Sequence, residues 1–331
     1  MKLFSYNKIS DTPQAAVASA SQHPNAHYIG GGTNIIDLMK NMVMIPDSLI
    51  DVSELGDPGI RSTSSGGIII GAAAKNSYVA NHRTVRDKYP VLARALLSGA
   101  SPQLRNMAST AGNALQRTRC FYFYDTASAC NKREPGSGCD AMHGYNRMHA
   151  ILGTSDQCIA THPSDMCVAM SCLDAIIHTV GKAGERKIPF IDFHKLPEKT
   201  PHIENALQEN ELITAIELPA PLFTDSSCYL KIRDRASYAF ALVSVAAGLD
   251  LSGGQIRNAR LALGGVATKP WRAVEAEEIL KGKNISQDVF AAAAESALKQ
   301  AKTFEHNAFK VELAKKAIIR ALAIASRSRQ S

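Results

Sequence analysis

Seven cysteines, grouped in the middle of the chain, are the feature that most constrains how this sequence can fold. None precedes Cys120, six lie between Cys120 and Cys172, and only Cys228 follows them in a chain of 331 residues. An odd number excludes complete pairing into disulfide bonds within the chain. Clustering of this kind favours a local metal or cluster site over a distributed disulfide framework.

Four of the cysteines share an irregular context, which we call the cysteine insertion (residues 117–158). This stretch is rich in Gly, Asn, Asp and Arg and shows little periodicity, so we predict loops that converge on one centre. Four thiolates suit Zn²⁺ or an iron–sulfur cluster. The spacing C-x₉-C-x₈-C-x₁₈-C matches neither zinc ribbons nor bacterial ferredoxins, so it leaves open whether a metal is bound and which one. The four are Cys120, Cys130, Cys139 and Cys158.

The other three cysteines lie in regular elements. Cys167 and Cys172 are five residues apart in an apolar predicted helix, which is poor geometry for ligating one metal together, and Cys228 lies in a predicted strand. We expect these three to be packing thiols, because buried Cys behaves as a small hydrophobic residue.

Composition describes an ordinary globular chain, with 45% hydrophobic and 20% charged residues, long enough for two domains or one with subdomains. No run approaches the ~18 apolar residues of a membrane span. The N-terminus has no apolar segment of the signal-peptide kind. The net charge of +7 is modest and its basic residues form no continuous stripe, so we do not expect nucleic-acid binding.

A glycine turn (residues 29–34, Ile-Gly-Gly-Gly-Thr-Asn) lies between a predicted strand and a predicted helix. Glycines allow close approach of a ligand and positive φ, and successive backbone N–H groups can bind an anion. The turn lacks the G-x-G-x-x-G spacing and the lysine of a P-loop. Phosphate binding and a structural tight turn both remain open.

Two further turns carry polar side chains. The hydroxyl turn (residues 109–113) offers two hydroxyls, a glycine and an amide, and it could be either a capped turn or a site. The Ser-Asp turn (residues 161–165) ends in Asp165, which either caps the predicted helix 164–173 or accepts hydrogen bonds from ribose or ribityl hydroxyls.

Apolar patterning and turn residues predict alternating strands and helices, with a boundary at Pro219-Ala220-Pro221 because prolines stop regular structure. The predicted strands are 26–29, 48–52, 67–71, 175–180, 212–218, 227–233, 243–250 and 255–263. The predicted helices are 12–21, 35–41, 78–81, 91–97, 164–173, 273–280, 287–300 and 309–325.

Taken in order, the glycine turn, the hydroxyl turn, His162-Pro163-Ser164-Asp165 and Lys231-Ile232-Arg233 resemble the FAD-binding subunit of the molybdenum hydroxylases. That family includes the flavin domains of xanthine dehydrogenase and carbon monoxide dehydrogenase, and the resemblance covers nearly the whole chain. The cysteine insertion looks like that of the FAD subunits of bacterial periplasmic aldehyde oxidoreductases, which carry a [4Fe-4S] cluster. Flavin subunits of the 4-hydroxybenzoyl-CoA reductase type and of the xanthine dehydrogenase type are the alternatives.

The resemblance implies an α+β fold. A PCMH-type FAD-binding domain would consist of two α/β subdomains, residues 1–57 and residues 58–221, the second carrying the cysteine insertion. Residues 222–331 would form a C-terminal domain of the CO-dehydrogenase flavoprotein kind, with a small antiparallel sheet plus helices.

The resemblance also implies FAD and a [4Fe-4S] cluster as cofactors. The two glycine-containing turns would hold the FAD pyrophosphate, Asp165 would bind hydroxyls of the FAD chain, and Lys231 would stabilise reduced flavin by its charge. Tyr238 is a candidate for packing on the isoalloxazine, against the alternative of a core tyrosine. The implied cluster ligands are Cys120, Cys130, Cys139 and Cys158. The implied FAD-binding residues are Tyr28, Ile29, Gly30, Gly31, Gly32, Thr33, Asn34, Ile35, Ser109, Thr110, Gly112, Asn113, Asp165 and Lys231.

The activity implied is electron transfer within a heterotrimer. A large molybdopterin-binding subunit would oxidise an aldehyde to a carboxylic acid, and a small subunit with [2Fe-2S] clusters would pass electrons to FAD on this chain and then to an external acceptor. The chain would reach the periplasm by co-export with a partner that carries the signal, whereas the missing signal peptide by itself favours the cytoplasm. A stand-alone flavoprotein oxidase and a zinc-bearing interaction module are alternatives of other classes.

Overall fold

The computed structural model describes residues 1–327, in which three β-sheets are surrounded by helices. The last four residues of the predicted C-terminal domain, 328–331, lie outside the described residues. The strands are β1 Ser5–Lys8, β2 Ala26–Ile29, β3 Ser48–Asp51, β4 Ile60–Ser62, β5 Ile68–Gly71, β6 Ile176–Gly181, β7 Gly184–Pro189, β8 Leu212–Leu218, β9 Ser227–Ile232, β10 Val243–Ser252, β11 Gln255–Gly264 and β12 Trp271–Arg272. The helices are α1 Pro13–Gln22, α2 Ile35–Lys40, α3 Asn76–Asn81, α4 Arg83–Lys88, α5 Pro90–Ser98, α6 Pro102–Met107, α7 Thr110–Ala114, α8 Phe121–Tyr124, α9 Asp165–Cys172, α10 Phe190–Phe193, α11 Val274–Leu280, α12 Gln287–Ala297 and α13 Phe309–Ala325, with a 3₁₀ turn at Asp140–Met142.

The first sheet is parallel, with strand order β1-β3-β2. Helix α1 follows β1 and begins where the sequence predicts, because Thr12 Oγ1 accepts the Ala15 N–H at 3.1 Å and Pro13 occupies the first helical position. Strand β2 ends at Ile29, so the glycine turn lies at the carboxyl edge of this sheet.

The second sheet is antiparallel, with strand order β4-β5-β8-β6-β7. Its buried face shares one core with α3, α5 and α9. Helix α9 is buried on every side, since all eight of its residues are buried, and between Asp165 and Ser171 its residues are all apolar. Ser164 Oγ accepts the Cys167 N–H at 3.1 Å and so caps the helix at the residue that the sequence predicts.

The third sheet is antiparallel, with order β12-β11-β10-β9, and it divides its two faces between two cores. Val245 and Leu261 lie in the core formed with α11, α12 and α13. Ala246 and Ala262 belong to the core shared with α5 and α9. These small side chains let the sheet approach α9 closely. The small antiparallel sheet plus helices predicted for the C-terminal part is thereby confirmed.

The cysteine insertion is irregular, as predicted, apart from α8, the 3₁₀ turn and an isolated antiparallel bridge between Cys130 and Cys139. Side chains of two neighbouring residues hold its loops in shape. Asn131 Oδ1 accepts two backbone N–H groups of residues 136 and 138, at 3.1 and 2.9 Å. The Arg133 guanidinium donates to four backbone carbonyls of residues 122–128.

Several elements escape the sequence patterns. Helices α4 and α6 are one or two turns long, and strand β7 (Gly-Glu-Arg-Lys-Ile-Pro) is polar because it lies at the edge of its sheet and is mostly exposed. Strands β1, β4 and β12 have two to four residues and offer no periodicity. Within residues 1–327, none of the helices combines the length and apolarity needed to cross a bilayer.

Lys310 joins the last helix to the cysteine insertion. Its side chain is fully buried, and Nζ donates to the carbonyl oxygens of Met148, His149 and Gly265 at 2.7–3.0 Å. Burial, together with the nearby Arg147 cation, lowers the pKa of Lys310 from 10.5 to about 7. The chain thus contains an amine that can lose a proton near neutral pH and, as the neutral amine, keeps N–H bonds for two of these three carbonyls.

We expect the contribution of Lys310 to stability to increase with pH. Between pH 7 and 10.5 the unfolded chain holds the Lys310 proton and the folded chain does not, so the free energy of unfolding rises with pH. Relative to Lys310→Met, the wild type should gain about 2 kcal/mol between pH 7 and pH 9. Equilibrium urea unfolding of both proteins at the two pH values measures this gain. A difference between them that does not change with pH would contradict the expectation.

Candidate functional site

The glycine turn and the hydroxyl turn are in direct contact. A Cβ on Gly30 would lie 2.8 Å from Ser109 Oγ, and a Cβ on Gly31 would overlap the backbone carbonyl of Met107. Gly32 has φ of +72°, which favours glycine. Glycine is therefore required here for close packing of two loops, and the structure brings together two of the three turns that the sequence singles out.

The glycine turn keeps hydrogen-bond donors free. No residue among 1–327 accepts the backbone N–H groups of Gly30, Gly31, Gly32 or Thr33. Asn34 Oδ1 accepts the Arg117 N–H at 2.9 Å, while its Nδ2 is buried without a partner within the described chain. A buried donor such as Asn34 Nδ2 is costly without an acceptor, and the backbone N–H groups beside it are free, so this cradle fits a ligand that supplies acceptor oxygens.

The apolar and aromatic side chains at the two ends of the glycine turn pack against protein. Ile29 and Ile35 pack in a small core with Met39 and Leu49. The Tyr28 hydroxyl donates to the Asn210 carbonyl at 2.8 Å, and burial raises its pKa to about 12. Their part in the turn is to anchor the strand before it and the helix after it.

One hydrogen bond joins the hydroxyl turn to the Ser-Asp turn, and others hold the hydroxyl turn in shape. Ser109 Oγ accepts the Gly112 N–H at 3.2 Å, and Thr110 Oγ1 donates to the Ala74 carbonyl at 2.9 Å. Ser164 Oγ donates to Asn113 Oδ1 at 2.6 Å. All three turns therefore form one continuous surface, although the Thr110 hydroxyl donates within the chain and Ser109 Oγ already accepts one hydrogen bond there.

A buried ion pair lies beside this surface. Lys231 Nζ is 2.8 Å from Asp165 Oδ2, with side chains 4% and 8% exposed. Asp165 Oδ1 accepts the Tyr229 hydroxyl at 2.6 Å, and Lys231 Nζ also donates to the Ser98 carbonyl at 3.1 Å. Burial, then the neighbouring carboxylate, raises the pKa of Tyr229 well above its ordinary value. Both oxygens of Asp165 are thus engaged by residues of β9.

A cavity of about 200 Å³ opens next to Asp165. The Ser-Asp turn forms one wall, and Phe121 and Phe240 stand at it as exposed aromatic rings, 64% and 44% exposed. Tyr238, the candidate for covering a flavin ring, has φ of +50°, is 57% exposed and does not line the cavity. The cavity also reaches the cysteine insertion, through residues Arg119, Cys120, Met148 and His149.

The four cysteines of the insertion are buried or half-buried. Burial raises the thiol pKa of Cys120 to about 12 and that of Cys158 to about 11, and neighbouring cysteines of the set add to both shifts. Burial raises the pKa of Cys139 in the same way, with a contribution from Cys130. Three buried thiols that resist ionisation, and that lie close enough to one another and to Cys130 to repel as thiolates, suit a bound cation that replaces the protons.

The spacing of these thiols is too wide for a single ion. A tetrahedral zinc with Zn–S bonds of about 2.3 Å holds its sulfurs about 3.8 Å apart. No three of the insertion cysteines come within 4.8 Å of one another in the described residues. A cluster places several irons and sulfides between its thiolates and therefore fits the wider arrangement.

His162, Cys167 and His194 do form such a group, with ligand atoms within 4.8 Å. Their hydrogen bonds argue against a metal there. His162 Nδ1 accepts the Ser164 N–H at 3.4 Å, so its proton is on Nε2, and Nε2 has no lone pair to offer. Burial lowers the pKa of both imidazoles, which fits two neutral rings packed edge to face. Cys167, Cys172 and Cys228 are buried thiols in regular elements.

Sequence reasoning missed several residues of the site. Tyr229 could have been found, because it is two residues before Lys231 in a strand and so shares its face. Arg119 is 2.7 Å from Asp37 and lies over the Phe240 ring, and His149 lies 3.1 Å from Cys120 Sγ. These contacts are long-range and come from irregular segments, so no periodicity signals them.

Two family models match the chain. Residues 4–221 match the FAD binding domain in molybdopterin dehydrogenase, and residues 228–325 match the CO dehydrogenase flavoprotein C-terminal domain.

Curated relatives match over most of their length. The aldehyde oxidoreductase FAD-binding subunit PaoB of Escherichia coli K12 is 51% identical over 98% of each chain. The glyceraldehyde dehydrogenase medium chain of Sulfolobus acidocaldarius is 28% identical over 86% of this chain and 84% of that one. Among solved structures, carbon monoxide dehydrogenase from Hydrogenophaga pseudoflava superposes with a TM-score of 0.77 over 99% of each chain at 23% identity, which shows the shared fold.

The close packing at Gly31 generates a prediction about FAD. In Gly31→Ala the new methyl group overlaps the Met107 backbone, so the two turns must separate and the N–H cradle is lost. We expect purified Gly31→Ala to contain at least tenfold less FAD per chain, measured from flavin absorbance after acid release.

Gly181→Ala is the matched control. Its Cβ would make an ordinary contact of 3.5 Å with Glu211, so FAD content should equal that of the wild type. Full FAD occupancy in Gly31→Ala would show that the contact between the turns does not hold the cofactor.

Proposed function

Because the chain belongs to the FAD-binding subunits of the molybdenum hydroxylase family, we propose that it is the FAD subunit of an aldehyde oxidoreductase that converts aldehydes to carboxylic acids. The single observation that carries the choice of aldehyde is the 51% identity to PaoB over 98% of both chains. Relatives of the xanthine dehydrogenase kind are 22% identical over 86% of this chain, and are the weaker alternative.

The residues present fit FAD. The unpaired N–H groups of the glycine turn and the orphaned Asn34 Nδ2 would bind the pyrophosphate. Asp165, whose two oxygens already accept from Tyr229 and Lys231, would use a remaining lone pair to accept hydrogen bonds from hydroxyls of the FAD chain. Lys231, held by Asp165 and the Ser98 carbonyl, would add positive charge near the ring. FAD, when bound, supplies the redox chemistry that no side chain of this site can perform. Tyr238 stays a candidate for covering the ring.

The cysteine insertion fits a [4Fe-4S] cluster bound by Cys120, Cys130, Cys139 and Cys158. Support comes from their burial, from their mutual proximity and from a spacing wider than one zinc ion needs. Lys132 lies near enough to Cys158 to favour its thiolate form, which supplies part of the charge that a thiolate-rich site requires. The zinc-bearing interaction module loses support from the same spacing.

Partners complete the proposal. A large subunit would hold the molybdenum cofactor and oxidise the aldehyde, and a small subunit would hold [2Fe-2S] clusters from which electrons reach the FAD site of this chain and then an external acceptor. The complex would be a heterotrimer exported to the periplasm on the signal of a partner. The PaoB likeness supports this assembly over a stand-alone flavoprotein oxidase.

Electron delivery distinguishes a subunit from a stand-alone oxidase. We expect an aromatic or aliphatic aldehyde to bleach the flavin absorbance of the assembled complex within one turnover and to leave the flavin of the purified single chain oxidised, as followed by stopped-flow spectroscopy without oxygen. Dithionite, which needs no partner, should bleach the flavin of both samples. Bleaching of the single chain by aldehyde would refute the subunit assignment.

Iron content tests the cluster. Cys139→Ser removes one of the four thiolates and is expected to lower iron from about four to less than one per chain, measured by colorimetric iron and sulfide assay. Cys228→Ala is the control, because Cys228 is buried in β9 far along the chain from the insertion, and it should keep all the iron. Equal iron in both variants would exclude the proposed ligand set.

A further inference from the structure

His149 stands out among the groups near the insertion cysteines. Its Nε2 lies 3.1 Å from Cys120 Sγ, and its side chain is buried. The Ala160 backbone N–H donates to Cys158 Sγ at 3.5 Å. In residues 1–327, His149 is the one side chain within hydrogen-bond distance of a sulfur of this set.

The direction of this hydrogen bond follows from the chemistry of the sulfur. A cysteine that ligates iron is a thiolate and has no proton to give. The imidazole must therefore be the donor, with its proton on Nε2. His149 Nδ1 is buried and has no partner among the described residues, so nothing there competes for the proton.

Side chains at the start of the C-terminal helix and just before it hold the backbone of His149. Its backbone carbonyl accepts from Lys310 Nζ at 3.0 Å and from Asn307 Nδ2 at 3.4 Å. Its ring packs at a tilt against Tyr122, with centroids 6.1 Å apart. These contacts hold the His149 backbone in place and pack one side of its ring, and they favour the orientation that faces Cys120.

The contact between His149 and Cys120 lies at the cavity, where it can affect electron exchange. Cys120 and His149 both line the cavity that also contains Asp165, whereas the other three insertion cysteines do not line it. The sulfur that His149 faces is thus the one on the side of the proposed FAD site.

We propose that His149 is a positioning residue that raises the reduction potential of the cluster by donating its Nε2 proton in a hydrogen bond to the Cys120 thiolate. The inference rests on the proposed [4Fe-4S] cluster. An N–H donor draws electron density from the sulfur and stabilises the state that carries one more negative charge. On reduction one electron enters from a one-electron donor, no bond forms or breaks, and the imidazole keeps its proton.

The experiment is a redox titration of the assembled complex with dithionite and mediators, followed by the paramagnetic resonance signal of the reduced cluster. His149→Leu removes the donor, and we expect the midpoint to fall by at least 59 mV, a tenfold change in the ratio of oxidised to reduced cluster at a fixed potential. His149→Gln, whose amide can donate, should recover most of the wild-type midpoint. Tyr122→Phe keeps the ring that packs on His149 and should leave the midpoint unchanged.

Iron and sulfide content separates the two levels of the proposal. A wild-type protein without iron refutes the cluster itself. His149→Leu with full iron and an unchanged midpoint refutes the hydrogen bond while leaving the cluster intact. Should the leucine variant lose its iron, His149→Met, which is longer and also lacks a donor, takes its place in the titration with the same expected fall.

Discussion

The ion pair between Lys231 and Asp165 is the interaction on which the rest of the site depends. It joins β9 of the C-terminal sheet to the first residue of α9, and both side chains are almost fully buried. Removing one partner of a buried pair costs about 3–5 kcal/mol, because the other charge is left without compensation. The Ser98 carbonyl accepts from both Lys231 and Arg233, which ties the end of α5 to the same strand. These contacts hold the two halves of the chain, and the cavity walls that each half contributes, in one fixed arrangement.

Much of the fold could be predicted from local signals. The bounds of α1, β8 and α13 agree with the sequence patterns within one or two residues, because α1 has a cap and the other two have a sustained apolar period. The functional site could be predicted only in part from the sequence. Sequence places three polar turns at the ends of elements, but the hydrogen bond between Asn113 and Ser164 spans 51 residues, and the pairing of Asp165 with Lys231 spans 66. Contacts of that length depend on tertiary packing, so sequence suggests which residues matter and the structure shows which residues they touch.

The cysteine insertion is attached to the rest of the chain by charge. Although burial opposes ionisation, Lys132 and Arg117 lower the pKa of Glu204, so the carboxylate remains charged between two cations at 2.8 and 2.6 Å. Arg119 makes a second attachment, to Asp37 beside the glycine turn. An irregular segment thus obtains a fixed position from ion pairs, and those of Glu204 are largely shielded from water, where screening by salt is weak.

In the cysteine insertion a side chain, that of Arg133, organises the loops, whereas small metal-binding domains depend on the metal for this. Its guanidinium gathers four carbonyls of residues 122–128 and has no carboxylate partner in the described chain. In small zinc domains, folding and metal binding are a single event, because no other group organises the loops. In the cysteine insertion the Arg133 guanidinium helps to organise the loops. The polypeptide therefore orders these loops with hydrogen bonds of its own, and their arrangement does not rest on a metal alone.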